Sequence, residues 1–323
     1  MVPASKVDFL NQYWEAVSRE GWLALILHDW GKIPHEITND VDYVIAGPGQ
    51  SELVKFVQAH CQKLGWQLAQ IFEHEVAAIS CICIQEAPPF DSVSLDVTWN
   101  YRRKGMNLIP SKILTKGAWQ PPGKAFFAAS IEVEFLYRLI KTAAKNKNLS
   151  EEPELIAALL NLYREKPKVI MQLVQEQTGV ILPSPPSDEG GEKFFREILR
   201  VPYFEKIRKG RRVHFLEIRR FFRRVVEPTG VVIDAPEKLL EESRQGILLT
   251  LRELFRRHRS ISEPESIIES WIARRCSTLV IKPAGSSGRA DWCWAGETAE
   301  SDLPEFISWM ANRVDQRWRG RRD

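Results

Sequence analysis

Two aspartates, Asp40 and Asp42, stand one residue apart in ITNDVDYVIAG, at the mouth of a short apolar run from Val41 to Ala46. In a strand, side chains at i and i+2 share a face, so both carboxylates crowd one spot. Charges that close repel unless something positive lies between them. A third carboxylate, Asp96, stands alone in the apolar stretch VSLDVTW, where burying it unpaired would be costly. If the two strands are neighbours, three carboxylates converge on one edge of a sheet. Such a cluster stays ionised by holding divalent cations, and its hard oxygen donors select Mg²⁺ or Mn²⁺. A pair of such ions about 4 Å apart serves in-line displacement at phosphorus, one activating the attacking oxygen and the other stabilising the leaving pyrophosphate.

The elements that must carry these residues can be read from the same sequence. A helical stretch over Lys6 to Glu20 precedes the strand WLALILH, a loop with Gly31 and Pro34, and the strand of the two aspartates. Ser51 to Leu64 reads as a helix with a serine cap and Gly65 as its stop. WQLAQIFEHE, VAAISCICIQE and DSVSLDVTWNY follow with β-branched or alternating character. The order α-β-β-α-β-β-β predicts a small mixed sheet with helices against it. From about Phe126 the pattern turns helical, through SIEVEFLYRLIKTAAK and a second stretch that Ser150 would cap. LPSPPSDEGGE, residues 182–192, has linker composition. Beyond it, EPTGVVIDAP and CSTLVIKP read as strands separated by a long helical stretch, then a loop AGSSGRADW and a terminal helix LPEFISWMANRVDQRW. That β-α-β-α order suggests a small parallel sheet.

The bulk composition narrows the class. The chain has 323 residues, 44% hydrophobic and 27% charged, and a formal charge of +3. These figures describe a globular protein of two or three domains. Five scattered cysteines without a paired CxxC argue against a zinc site and against a disulfide framework. No apolar run reaches membrane-spanning length and the N-terminus lacks a signal-peptide pattern, so a soluble, cytoplasmic protein is expected.

The order strand, loop, DVD on the next strand, helix, then a lone Asp on a later strand resembles the nucleotidyltransferase fold shared with polymerase β. The closer resemblance is to a bacterial group linked to polysaccharide biosynthesis, in which a strand is followed by a proline and a D-x-D segment, matched here by Ile33-Pro34 and NDVDYVI. Members often carry a C-terminal part resembling thymidylate kinase. The resemblance covers roughly residues 20–145, with a second patch near 220–260. It implies an α/β protein: a nucleotidyltransferase-like mixed sheet over residues 1–125, a helical region over 126–225, and a small kinase-like α/β domain over 226–323. It further implies that Asp40 and Asp42 bind Mg²⁺ or Mn²⁺, and that Asp96 is the third ligand and the base. His28, Gly31, Lys32 and Lys141 become candidates for contacting the nucleotide, and His35 for a phosphate. Many members have Gly-Ser or Gly-Gly after the first strand, letting backbone amides reach phosphate. Here the same place reads LHDWGK, with Gly31 beside the bulky Trp30.

In the C-terminal half, FFRRVVEPTGVVIDAP is similar to the junction where the kinase-like part of those fusion proteins begins. An active kinase would continue into GxxxxGK[ST], but no glycine occurs between Gly230 and Gly246, so the phosphate cradle is lost. Between Arg196 and Val226 there are eleven Lys/Arg against three Asp/Glu. Arg211, Arg212, Arg219, Arg220, Arg223 and Arg224 in that run are either a solvated helix face or a surface for a polyanion or acidic membrane. Trp292 and Trp294, beside the glycine loop, could stack a sugar or base. Two functions result from different classes: transfer of an NMP group from an NTP, or a catalytically inactive scaffold that holds a partner through its arginines.

Overall fold

The computed structural model describes residues 3–36, 40–75, 77–88, 90–103, 105–186, 190–209, 229, 231–235, 257–260, 278–283, 290–294 and 302–318. Arg211 and the other five arginines of the basic run lie outside the described residues, as does the glycine loop 284–289. The protein is mixed α/β. Its first segment forms helix α1 (Lys6–Arg19), strand β1 (Leu23–Ile26), a 3-10 turn at Trp30–Lys32, strand β2 (Asp40–Ala46), helix α2 (Gln50–Lys63) and strands β3 (Trp66–Glu75), β4 (Ala78–Gln85) and β5 (Ser92–Thr98), the order expected. The Ser5 hydroxyl accepts from the Asp8 amide and caps α1. Gly49, rather than Ser51, occupies the cap position of α2; Ser51 lies inside the helix and is buried. Gly65, at φ +71°, ends that helix, a conformation that costs glycine little.

The six strands of the main sheet run in the order β3-β4-β5-β2-β1-β8, where β8 is the two-residue strand Phe127–Ala128. The helical pattern expected from Phe126 therefore begins a little later, because β8 first pairs in parallel with β1. Between β5 and β8 come a hairpin, β6 (Tyr101–Arg103) with β7 (Met106–Ile109), and the short helix α3 (Ser111–Leu114). β1 runs antiparallel to β2, and β5 runs parallel to β2 with Asp42 opposite Asp96.

Alternation along the strands gives the sheet two faces. One carries Val41, Tyr43 and Ile45 of β2 with Val93, Leu95 and Val97 of β5, packed beneath Phe9, Tyr13 and Trp14 of α1 and Leu53 and Val57 of α2. The opposite face is covered in two places. At the β1 end, Leu25, Leu27 and Val44 meet helix α4 (Ile131–Lys145) through Val133, Leu136 and Ile140. Full burial of each such side chain contributes roughly 1.5–3 kcal/mol. Around α4 gather α5 (Pro153–Glu165), α6 (Pro167–Thr178), α7 (Gly191–Ile198) and α8 (Pro202–Lys209). Ser150 lies in a 3-10 turn, not at a cap; α5 begins instead with Pro153 in its first turn, where the missing N–H costs nothing. Residues 182–186 lie along α5: Leu182 is buried, the Tyr163 hydroxyl donates to the Pro183 carbonyl, and Arg164 donates to that of Pro186.

At the β3–β4 end the same face is covered by α9 (Leu303–Trp318), whose Phe306, Ile307 and Met310 pack on Ala69, Phe72, Ile82 and Ile84. Strands β9 (Val231–Ala235), β10 (Arg257–Ser260), β11 (Thr278–Pro283) and β12 (Trp292–Cys293) form a second, all-parallel sheet in the order β10-β11-β9-β12. Trp294 is buried against Phe306 and so presents no stacking surface, while the half-buried Trp292 ring leans on Phe306 and Trp309. Trp294 belongs to the core of the α9 layer, and Trp292 packs against its edge. No helix among the described residues is long and apolar enough to cross a membrane.

Candidate metal centre

Between the α4 layer and the α9 layer, the strip of the sheet that no described helix covers is polar. The register explains why: Ser80 of β4 stands opposite Asp96 of β5, and Asp96 opposite Asp42 of β2. These positions form one row across three strands, with Ser94 and Asp40 two residues earlier on the same face. Asp40, Asp42 and Asp96 each offer a carboxylate oxygen, and these atoms all lie within 4.8 Å of one another. Asp40 is exposed and the other two half-buried, so the cluster could bind a divalent metal.

The two half-buried carboxylates are treated differently by their surroundings. Asp96 Oδ1 accepts from the Ser94 hydroxyl at 2.8 Å and from the Ser80 hydroxyl. Burial nonetheless raises its pKa, reinforced by the charges of Asp42 and Asp40, and the serines only partly oppose this. For Asp42 burial acts in the same direction, but His28 and Lys141 outweigh it and hold the carboxyl well below the usual range. Lys141 Nζ donates to Asp42 Oδ2 at 2.6 Å, and His28 Nε2 lies 3.3 Å from the same oxygen.

Neighbouring groups hold His28 and Lys141 in turn. His28 follows β1, whose antiparallel pairing brings its end to the start of β2. Its Nδ1 meets Asp29 Oδ2 at 2.7 Å, with Asp29 in the left-handed conformation at φ +55°. Burial opposes a charge on His28, but the bonds to Asp29 and Asp42 together raise its pKa. On α4, Arg138 bonds both Asp29 and Glu134. Arg138 and Lys141 are three residues apart and so project from one side of the helix. The Tyr137 ring lies under both partners, stacked near His28 at 6.0 Å and 5.1 Å from the Lys141 ammonium.

Of the residues singled out from sequence, Asp40, Asp42, Asp96, His28 and Lys141 come together here. Gly31 and Lys32 lie exposed in the turn after His28, and His35 is exposed just beyond. A Cβ built on Gly31 would meet nothing within 4 Å, so no protein atom forces glycine there. Sequence reading missed Ser80, Ser94, Asp29, Arg138 and Tyr137. A lone serine in the apolar run AISCICI is the one local signal for Ser80. No protein-family model, curated protein or solved structure matches this chain.

Proposed function

We propose that the protein is a divalent-cation-dependent nucleotidyltransferase, moving an NMP group from an NTP to an acceptor hydroxyl. The observation that supports this most is the cluster of Asp40, Asp42 and Asp96, held on adjacent parallel strands with ligand atoms within 4.8 Å and left partly open. Three carboxylate donors suit Mg²⁺ or Mn²⁺, which when bound would draw charge from the triphosphate and sharpen the acceptor oxygen as a nucleophile. The remaining chemistry belongs to the chain. Asp96, fixed through one oxygen by two serine hydroxyls and raised in pKa by burial, accepts the acceptor's proton as its oxygen bonds to the α-phosphorus. The bond from that phosphorus to the bridging oxygen breaks, and pyrophosphate leaves. Lys141 and His28, at the edge of the cluster, face the negative charge of the phosphates.

The test is a melting-temperature screen of the four NTPs with Mg²⁺ or Mn²⁺. A ligand bound only by the native state at one hundred times its dissociation constant stabilises it by about 2.7 kcal/mol. At least one NTP should raise the melting temperature, and the paired change Asp40→Asn with Asp42→Asn should abolish the rise. If no NTP has an effect, the transferase reading fails and the scaffold alternative gains. A rise that survives the paired change puts the nucleotide elsewhere.

A further inference from the structure

We infer that this centre takes one divalent cation, and that the Lys141 ammonium stands where the second ion of a metal pair would be. The inference rests on the metal reading above and narrows it. In a two-ion site the cations sit about 3.5–4 Å apart and share the carboxylates between them. Asp42, next to Asp40 on its own strand and opposite Asp96, would have to give one oxygen to each ion. Its Oδ2 is already committed: Lys141 Nζ lies 2.6 Å away and His28 Nε2 3.3 Å away, the two nitrogens 3.4 Å from each other. A divalent ion on that oxygen would sit within about 4 Å of a fixed ammonium, where like charges interact strongly in a half-buried site.

The lysine is not poised to leave. Its side chain is 20% exposed, and it rises from α4, whose neighbouring Ile140, Thr142, Ala143 and Ala144 are buried. The Tyr137 ring backs it at 5.1 Å, and Tyr101 in turn braces that ring edge-on at 5.0 Å. One helical turn further on stands a second lysine, Lys145. Among the described residues, the geometry therefore leaves one place for a divalent ion, among Asp40, Asp96 and the other side of Asp42. Lys141 is a positioning residue whose single charge would face phosphate oxygens in place of a second metal. Compared with an ion, an ammonium donates directed hydrogen bonds and is not lost on chelation.

The experiment is electron paramagnetic resonance of bound Mn²⁺, with and without the α,β-methylene analogues of the four NTPs. Wild type should bind one Mn²⁺ per chain with an uncoupled six-line spectrum. Lys141→Gln should take a second ion and show a spin-coupled pair, while Lys141→Arg should behave as wild type. A spin-coupled pair in the wild-type protein, which needs no variant to fold, would overturn the inference and leave the metal reading intact. A single uncoupled ion in a folded Lys141→Gln protein would overturn it as well. If neither protein binds Mn²⁺, the metal reading fails and this inference with it.

Discussion

Replacing Asp96 with asparagine should make the metal-free protein more stable while removing its response to metal. Asp96 is a half-buried carboxylate whose pKa is raised by burial and then by the charges of Asp42 and Asp40. Two unit charges within 4.8 Å of each other repel by about 3 kcal/mol or more at an effective dielectric near 20. Lys141 and His28 already offset Asp42, and Asp40 is exposed, so a relief of about 1–2 kcal/mol is expected. Asparagine keeps an oxygen to accept from Ser80 and Ser94, and its amide can donate to the remaining carboxylates. The sign with pH follows from proton binding. Between the ordinary value near 3.8 and the raised one, the folded chain holds the proton more tightly than the unfolded chain. Stability is therefore lost as pH rises through the raised value. The advantage of Asp96→Asn should be full at pH 7.5 in chelator and shrink toward zero on acidification through the carboxylate range. The assay is thermal and urea denaturation of both proteins in chelator, then in Mg²⁺, where only the wild type should gain. If Asp96→Asn is less stable than wild type at pH 7.5 in chelator, the carboxylates are not in conflict and the electrostatic basis of the metal reading is wrong.

Three further outcomes are expected. Gln70 is buried on β3, donates to the Thr229 carbonyl at 2.9 Å and receives Arg317 of α9, so Gln70→Leu should cost about 1–3 kcal/mol in urea denaturation by leaving buried polar groups unmatched. His60 is buried and bonded to the Phe9 carbonyl, and burial lowers its pKa. Its contribution is thus complete above the ordinary value near 6.5 and lost as pH falls through the depressed one, and melting from pH 7.5 to 5 should fall more steeply in wild type than in His60→Phe. Gly47, between β2 and α2, has φ +122°, and an added Cβ would lie 2.8 Å from the Trp22 ring; Gly47→Ala should cost about 1–3 kcal/mol, read as a lower melting temperature.

The carboxylate row could be read in sequence because its signals are local. Asp40 and Asp42 share a face by strand periodicity, and Asp96 is conspicuous as the single charge in VSLDVTW. What joins them, the parallel pairing of β2 with β5, needed only the assumption of adjacency. The cationic side was harder. Arg138 and Lys141 reach Asp29 and Asp42 from about a hundred residues away in sequence, and a helical lysine has the same local pattern whether it meets solvent or a carboxylate. β8 is too short for any alternation to show. Trp294 was misread because its burial depends on where α9 docks, a long-range choice that composition beside a glycine loop does not encode. The Gly49 cap and the early position of Ser51 differ by two residues, within the latitude with which helix ends can be read.

The reaction itself is tested most directly by following which phosphorus moves. The purified protein is incubated with Mg²⁺, cell extract as a source of acceptor, and NTPs labelled at either the α- or the γ-phosphorus. Nucleotidyl transfer predicts that α-label enters an acid-stable product with matching release of pyrophosphate, that γ-label does not, and that Asp96→Asn gives no more product than extract alone. Transfer of γ-label, or α-label incorporation undiminished in Asp96→Asn, would contradict a nucleotidyltransferase built on Asp40, Asp42 and Asp96.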